Sequence, residues 1–221
     1  MVGIEANKVV NNIDDTISAL DGVRKACGNI NETTDLPDAF HKVLEKVELV
    51  TDTLSYAERH IRTHDQDEQA CQEMDPDVES CKTQADSLKR VFRAVVPQAN
   101  IPRLQRYRMA ASNLGGVGKN RVEILMKGIL EDVHHLVGKC VIERGASVIK
   151  AVDEAQVEKL LKAIEELSAM PPSLSEDASG KSINNYGPGT QNVNAGEGTQ
   201  NNNTGKGRQF IGQSQYFGTD D

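Results

Sequence analysis

Residues 36–61 read LPDAFHKVLEKVELVTDTLSYAERHI and decide the fold of the N-terminal part of the chain. Apolar side chains recur in this stretch every three or four residues, which is the spacing of one face of an α-helix. Pro37 fits the first turn of a helix, where its missing N–H costs no hydrogen bond. The stretch therefore predicts a long helix with one strongly apolar face. The residues on that face are Phe40, Val43, Leu44, Val47, Val50, Leu54, Ala57 and Ile61.

Helical patterns also flank this stretch. Residues 4–27 carry a thinner apolar stripe, and Gly28-Asn29 is a typical stop signal. The polar run from His64 to Glu73 is expected to loosen or bend the chain, and a third helix is expected from about Asp77 to Val96. The inward positions of these two helices are predicted to be Ile4, Val9, Val10, Ile13, Ile17, Leu20, Val23, Val78, Cys81, Ala85, Leu88, Phe92 and Val95.

The second half of this region predicts further helices. Residues 103–113 read as a short basic helix, and residues 115–118 as a glycine-rich turn. Asp153 is a suitable N-cap for a last helix. Strand alternation is nowhere comparably strong, so the chain is predicted to be all-α, a bundle of five or six helices. The remaining inward positions are predicted to be Val122, Leu125, Met126, Ile129, Val133, Leu136, Val137, Val157, Leu160, Leu161, Ile164 and Leu167.

Charge and hydropathy exclude several classes of protein. The formal net charge is −8 in 221 residues, which argues against nucleic acid as a partner because neutralising phosphates requires a basic face. No run approaches the ~18 consecutive apolar residues of a spanning helix, and no signal peptide is visible. The four cysteines are scattered without metal-ligand spacing, which indicates free thiols in a reducing cytosol. A cytoplasmic location is expected, with no cofactor.

The C-terminal tail repeats a nine-residue unit three times over residues 186–212. Such a repeat has a physical meaning in a cross-β stack, where strands lie about 4.7 Å apart and like residues form ladders. Asn and Gln side chains can bond to their own copies above and below, and Gly-x-Gly supplies turns. The residues in register, together with the final aromatic, are Gly187, Gly189, Gln191, Asn192, Gly196, Gly198, Gln200, Asn201, Gly205, Gly207, Gln209 and Phe210.

Three other interpretations of the tail remain open. A calcium-binding β-roll would need a carboxylate where this chain has Asn192, Asn201 and Phe210. A disordered linker and chance low complexity are the other two. The fixed spacing favours a tail that is disordered in the soluble state and forms amyloid conditionally. The predicted domains are therefore a bundle over residues 1–170, a linker over 171–182 that begins at two prolines, and the amyloid motif over 183–218.

Residues 36–40, 49–54, 106–107, 121–132 and 164–172 of the body, and the pair Gln209-Phe210 at the end of the tail repeat, carry resemblances to known families. The body resembles the fungal SesA-type, HeLo-like domain found at the N-terminus of NACHT and other P-loop NTPases. The tail is similar to the sigma-type amyloid motif of the same fungal death-pathway proteins, which ends in such a Gln-aromatic pair.

The resemblance implies a role in programmed cell death or heterokaryon incompatibility. A NACHT or other NLR-type receptor with a matching motif would template the tail, which would also self-assemble. In related domains, assembly exposes an N-terminal helix to the plasma membrane. In this chain the first helix is interrupted by Asn11, Asn12, Asp14 and Asp15, so membrane permeabilisation is implied by the resemblance alone. A non-lytic adaptor is the alternative.

Candidate catalytic or ligand sites have simpler explanations. Residues 115–120 imitate a nucleotide-binding P-loop but lack its first glycine, its preceding buried strand and the hydroxyl residue, which is Asn120 here. His134 and His135 are adjacent and cannot chelate together, and His60 and His64 are expected on a solvated face. No carboxylate pair stands in an apolar setting. The chain is therefore not expected to be an enzyme.

One basic patch is visible in the sequence. Its cations could contact phosphates of lipid headgroups, or they could simply pair with acidic neighbours, which is the favoured interpretation. The members are Arg103, Arg106, Arg108, Lys119 and Arg121.

Overall fold

The computed structural model describes residues 3–28, 36–64, 68–97, 99–144 and 147–175, with side chains at all of these except 142–144 and 147. Within these ranges the chain forms six helices and one short hairpin, which confirms the predicted all-α class. The elements are α1 (Ile4–Cys27), α2 (Asp38–Thr63), α3 (Glu68–Val95), α4 (Arg103–Asn113), α5 (Val122–Lys139), β1 (Val141–Arg144), β2 (Ser147–Lys150) and α6 (Glu154–Ser168). The predicted amyloid motif lies outside the described residues.

Helix α1 packs against both α2 and α3. Its side chains Val9, Ile13, Leu20 and Val23 are fully buried, as their spacing predicts. Ile4 was predicted to point inward and this is wrong, because it is 87% exposed. At 100° per residue, nine residues place Ile4 on the opposite side of the helix from Ile13.

Helix α3 begins earlier than the sequence pattern predicts. The run up to Glu73 was expected to loosen the chain, but α3 begins at Glu68 and continues through Pro76. Cys71 and Met74 are buried and extend the stripe of Val78 one turn towards the N-terminus. A proline inside a helix costs ~3 kcal/mol. Fully burying a Met side chain contributes about 1.5–3 kcal/mol, so these two contacts offset the proline.

The hairpin between α5 and α6 was not predicted. β1 and β2 are antiparallel, with Ile142 paired to Ile149. The backbone N–H of Ala151 donates to the carbonyl of Cys140 at 3.1 Å and closes its base. Each strand has only four residues, which is too short for a period-2 pattern to stand out.

Helix α6 begins as predicted. The side chain of Asp153 accepts a hydrogen bond from the N–H of Gln156 at 2.8 Å, which is an N-cap. Leu160 and Leu167 are buried, but Leu161 was wrongly placed inward and is 49% exposed. It lies 100° around the helix from Leu160.

An aromatic cluster joins α2, α3 and α4. The rings of Phe40 and Phe92 lie 4.9 Å apart between centroids, and Tyr107 meets Phe40 edge-on at the same distance. All three side chains are fully buried. Such aromatic pairs contribute about 0.5–1.5 kcal/mol beyond their buried area, so they fix the position of the short helix α4.

None of the helices in the described ranges has the combination of length and apolar character that a bilayer span requires.

The four cysteines are predicted to resist thiol reagents in the native protein. All four are buried thiols, and burial raises the pKa of Cys27 to about 11 and that of Cys140 to about 12. The thiolate is the reactive form, so native protein at neutral pH should react slowly and denatured protein should react at all four sites. Timed labelling read by mass spectrometry checks this. Rapid labelling of Cys140 in the native protein would contradict its burial.

Candidate functional site

The chain after α6 turns back over the bundle before the tail begins. Residues 170–174, here called the C-terminal strap, include the exposed pair Pro171 and Pro172 and the half-buried Ser173. Leu174 is 2% exposed and belongs to the core. Burying a leucine contributes about 1.5–3 kcal/mol, so the last described residues are firmly held.

A chain of hydrogen bonds fixes the strap at the start of α5. Ser173 donates from its N–H to Glu123 Oε1 at 3.0 Å and from its hydroxyl to Glu123 Oε2 at 2.6 Å. Because the serine proton points to the carboxylate, the 2.7 Å contact between the Ser173 and Tyr107 hydroxyls has Tyr107 as donor. Tyr107 in turn accepts from the N–H of Val122 at 2.8 Å. Every donor in this series of hydrogen bonds therefore has an acceptor.

The charge of Glu123 is buried but compensated. Glu123 is only 2% exposed. Arg121 Nε lies 3.5 Å from Oε1, too long for a hydrogen bond but close enough for an ion pair, and Arg121 also donates to the carbonyl of Leu174 at 3.4 Å. Glu123 stands in the first turn of α5, where the helix dipole favours negative charge. Removing one partner of such a buried pair costs about 3–5 kcal/mol.

Tyr107 connects these polar contacts to the core. Burial raises the pKa of its phenol, so it stays neutral and keeps the proton that it donates to Ser173. Its ring packs edge-on against Phe40. A displacement of Ser173 would therefore change the position of Tyr107 and its packing against Phe40. We call Tyr107, Arg121, Glu123 and Ser173 the junction cluster.

Comparison with known families identifies the region on each side of the strap. Residues 13–136 match the SesA family, described as an N-terminal domain on NACHT NTPases and P-loop NTPases. This match spans more than half of the chain. The chain belongs to the SesA family. Residues 180–218 match a second family, the sigma domain on NACHT-NTPases. No curated protein and no solved structure matches the chain.

The junction cluster spans a boundary that neither match covers. Tyr107, Arg121 and Glu123 lie inside the SesA match, whereas Ser173 lies between the two matches. The strap is thus the covalent route from the SesA domain to the sigma domain. Both families accompany NACHT NTPases, so this SesA protein is of the NACHT-associated signalling type.

Sequence reasoning missed this cluster, and Glu123 is the one member whose position in the sequence was informative. A carboxylate beside Val122 and two residues before Leu125 sits on the edge of an apolar stripe. A buried acid must find donors, but the sequence does not show that they come from Ser173, fifty positions away.

The predicted basic patch of the SesA domain is divided among different environments. Arg106 donates to the carbonyls of Ala94, Pro97 and Ile101 at 3.0, 2.6 and 3.0 Å, and Arg103 donates to that of Val96 at 3.4 Å. These two side chains therefore secure the exit of α3. Arg121 belongs to the junction cluster, Arg108 is half-buried, and Lys119 is exposed. Their contact with phosphate stays a prediction.

The glycine-rich loop is a turn between α4 and α5, as predicted. Asn120 donates to the carbonyls of Leu114 and Gly116 at 3.2 and 2.8 Å and so closes the loop. Gly115 and Gly116 adopt φ values of 103° and 133°, which are accessible to glycine alone at little cost.

The histidines differ from the prediction in one respect. His60 was expected on a solvated face, but it is 6% exposed, with its ring 4.8 Å from that of His64. It lies three residues after Ala57 and seven after Thr53, both fully buried, and so stands on the core side of α2. His134 is half-buried and His135 is exposed. Among the described residues, no group of three or more His, Cys, Asp or Glu could hold a metal ion.

The predicted tail residues cannot be placed in this site. The repeat positions from Gly187 to Phe210 lie outside the described residues, and their stacking stays a prediction.

The junction cluster predicts a measurable stability effect. Ser173→Ala removes a donor to Glu123 and the acceptor for Tyr107, so the free energy of unfolding should fall by about 1–3 kcal/mol. Ser175→Ala is the matched control because Ser175 is exposed, and it should change stability by less than about 0.5 kcal/mol. Urea denaturation followed by helical circular dichroism checks both. Equal midpoints for the two variants would contradict the cluster.

Acidification is predicted to destabilise the SesA domain through His60. Burial, with a smaller contribution from His64, lowers the pKa of His60 from 6.5. The unfolded chain then binds a proton that the folded chain does not, so stability is full above pH 6.5 and falls as the pH drops below it. His60→Leu should reduce this pH dependence, whereas His135→Leu at an exposed position should not. Thermal midpoints measured across this range test the assignment, and an unchanged slope in His60→Leu would contradict it.

Proposed function

We propose that the chain is a signalling effector of programmed cell death or non-self recognition that a partner NACHT-type receptor activates through the tail. The observation that carries this proposal is the order of the two family matches in one chain, a SesA domain followed by a sigma domain. A receptor with a matching segment would present a β-template. The repeat from Gly187 to Phe210 would add to it strand by strand.

The chemistry of the repeat gives this addition its specificity. A shift of one residue moves every side chain to the other face of a strand, so Gln191, Gln200 and Gln209 form ladders in a single register. Once several tails share a fibril, their SesA domains are held at high effective concentration without any new contact between them. Assembly thereby becomes the signal, and no catalytic step is required.

The strap is the proposed route by which assembly reaches the bundle. A tail fixed in a fibril constrains the position of the residues that precede it, including Ser173. If that constraint draws Ser173 away, Glu123 is left as a buried charge with two fewer donors, which is strongly destabilising. The bundle then responds around Tyr107, whose ring contacts the core.

The membrane-disrupting form of this proposal needs α1 to leave the bundle. In the resting fold α1 is held by its buried face and by ion pairs to its neighbours, Lys8–Asp75 at 2.6 Å, Asp15–Lys82 at 2.7 Å and Asp14–Arg62 at 3.2 Å. Exposed pairs of this kind contribute at most about 1 kcal/mol each, so burial of the apolar face is the larger barrier. A released α1 would be amphipathic and would lie in the interface, not across it.

The second candidate function is a non-lytic adaptor that the tail recruits to a receptor assembly. The burial of the apolar face of α1 favours this candidate, since Val9, Ile13 and Leu20 are all fully buried. Removing α1 would destroy the core, so truncation cannot separate the two functions. Leakage of anionic vesicles on adding seeded full-length protein separates them: leakage supports the lytic effector, and intact vesicles support the adaptor.

Templating of the tail is the decisive test. Full-length protein mixed with fibril seeds of its residues 179–221 should convert to fibrils with a cross-β diffraction pattern and bind thioflavin. Gln209→Pro with Phe210→Pro should abolish conversion, because proline removes ladder donors. The matched control is Thr219→Pro with Asp220→Pro, which lies beyond the sigma match and should still convert.

Circular dichroism of the unseeded variants should be unchanged, which shows that the SesA domain is intact in each. A wild-type chain that stays monomeric beside its own seeds would overturn the proposed function.

A further inference from the structure

Three sulfur atoms come together where the start of α3 meets the end of α5. Cys71 and Met74 are three residues apart on α3, so their side chains lie on one face of the helix, about 60° apart. The thiol of Cys140, the residue that follows α5, lies 4.0 Å from the Met74 sulfur. All three residues are at most 1% exposed. We call Cys71, Met74 and Cys140 the sulfur triad.

The two thiols of the triad are neighbours as well. Burial raises the pKa of the Cys140 thiol to about 12, and a smaller electrostatic contribution to this increase comes from Cys71. Such a contribution requires the two sulfurs to be close, because Coulombic interactions weaken with distance. Each member of the triad therefore has another member beside it.

The position of Cys140 is fixed by contacts that do not involve its sulfur. Its carbonyl accepts a hydrogen bond from the N–H of Ala151 at 3.1 Å, at the base of the hairpin. The preceding residue, Lys139, donates to the carbonyl of Glu73 at 2.7 Å. This bond attaches the end of α5 to the turn of α3 that carries Met74. The fold thus holds the sulfurs together in advance, as a binding site for an ion requires.

The spacing of the sulfurs suits a metal ion with three ligands in a plane. A metal–thiolate bond is about 2.3 Å long, as in zinc sites. Three sulfurs at that distance from one ion, and 120° apart around it, lie about 4.0 Å from each other. The distance between the Cys140 and Met74 sulfurs matches one side of this triangle.

The chemistry of the donors selects the metal. Thiolate and thioether sulfurs are soft ligands that favour Cu(I), whereas zinc sites are built from Cys, His and carboxylates, almost always with four ligands. Among the described residues, no third His, Cys, Asp or Glu joins the two thiols into a metal-binding group. Two thiols and one thioether are therefore too few ligands for a zinc site, but they form a complete set for Cu(I).

Binding of Cu(I) would leave one net negative charge in the core. Each thiol loses its proton to solvent as its sulfur binds the metal, so two thiolates surround one monovalent cation. Cys71 stands in the first turn of α3, where the backbone N–H groups and the helix dipole favour negative charge. A helix end also opens more readily than the middle of a helix, which gives the ion a route to the buried sulfurs.

We propose that the sulfur triad is a Cu(I)-binding site. Two thiolates and one thioether hold the ion, and the ion links the start of α3 to the end of α5. The site lies at the opposite end of α5 from Glu123, about 25 Å along the helix. It goes beyond the proposed function, because neither the strap nor the tail contributes a ligand.

Titration of the full chain with Cu(I) tests this proposal. Reduced protein is kept free of oxygen in ascorbate and competes with bicinchoninate, a chelator whose coloured Cu(I) complex fades as the protein takes the metal. Wild-type protein should take one Cu(I) per chain, and its X-ray absorption spectrum should show three sulfur neighbours at about 2.3 Å. The thermal midpoint should rise with Cu(I), because the metal binds the folded chain.

Two variants with matched controls test the ligands. Met74→Leu keeps the volume of the side chain and should fold, yet it should lower the affinity at least about tenfold and leave two sulfur neighbours. Cys140→Ser should abolish competition with the chelator. Met126→Leu and Cys81→Ser are controls at buried positions outside the triad and should bind as wild type does. Unchanged helical circular dichroism shows that each variant is folded.

Three outcomes overturn the proposal. They are absence of Cu(I) uptake in competition with the chelator, equal losses in Cys140→Ser and Cys81→Ser, and stronger retention of Zn²⁺ than of Cu(I). The result is independent of templating, because the Gln209→Pro, Phe210→Pro variant should bind Cu(I) as wild type does. Loss of Cu(I) uptake with intact seeding counts against the copper site alone, and the reverse counts against the proposed function alone.

Discussion

The buried carboxylate of Glu123 is the constraint on which the C-terminal part of the fold depends. Taking a charge out of water costs several kcal/mol unless donors replace the lost hydration. Ser173 supplies two of those donors and Arg121 an opposite charge. The strap must therefore stay in contact with the start of α5, because otherwise the Glu123 carboxylate loses its hydrogen-bond donors. A segment that composition alone would assign to a linker becomes part of the core.

Helix α4 joins this constraint to the rest of the molecule. On one side Tyr107 reaches Ser173 and the ring of Phe40 on α2, which in turn packs against Phe92 on α3. On another, Arg106 binds the carbonyls at the exit of α3. An eleven-residue helix is too short to be stable alone, so these contacts decide its position. Helix α4 thus connects the junction cluster to the exit of α3.

The sequence predicted what periodicity and capping control. The apolar stripes of α2 and α5, the bounds of α4 and the Asp153 cap all follow from local spacing. It failed where tertiary burial overrides local signals, as at Cys71 and Met74 around Pro76, and in a hairpin of four-residue strands. The junction cluster was out of reach because its partners are fifty positions apart.

The place of Ser173 in the chain has a consequence for cutting the protein into modules. The SesA match ends at residue 136 and the sigma match begins at residue 180. Ser173, which completes the surroundings of Glu123, lies between them. A fragment that ends at residue 136 would bury the carboxylate of Glu123 without the two donors that Ser173 supplies. A chimera that joins this tail to an unrelated helical domain would lack the hydrogen bonds between Ser173 and Glu123. The segment around Ser173 is therefore part of the folded SesA domain and not a spacer.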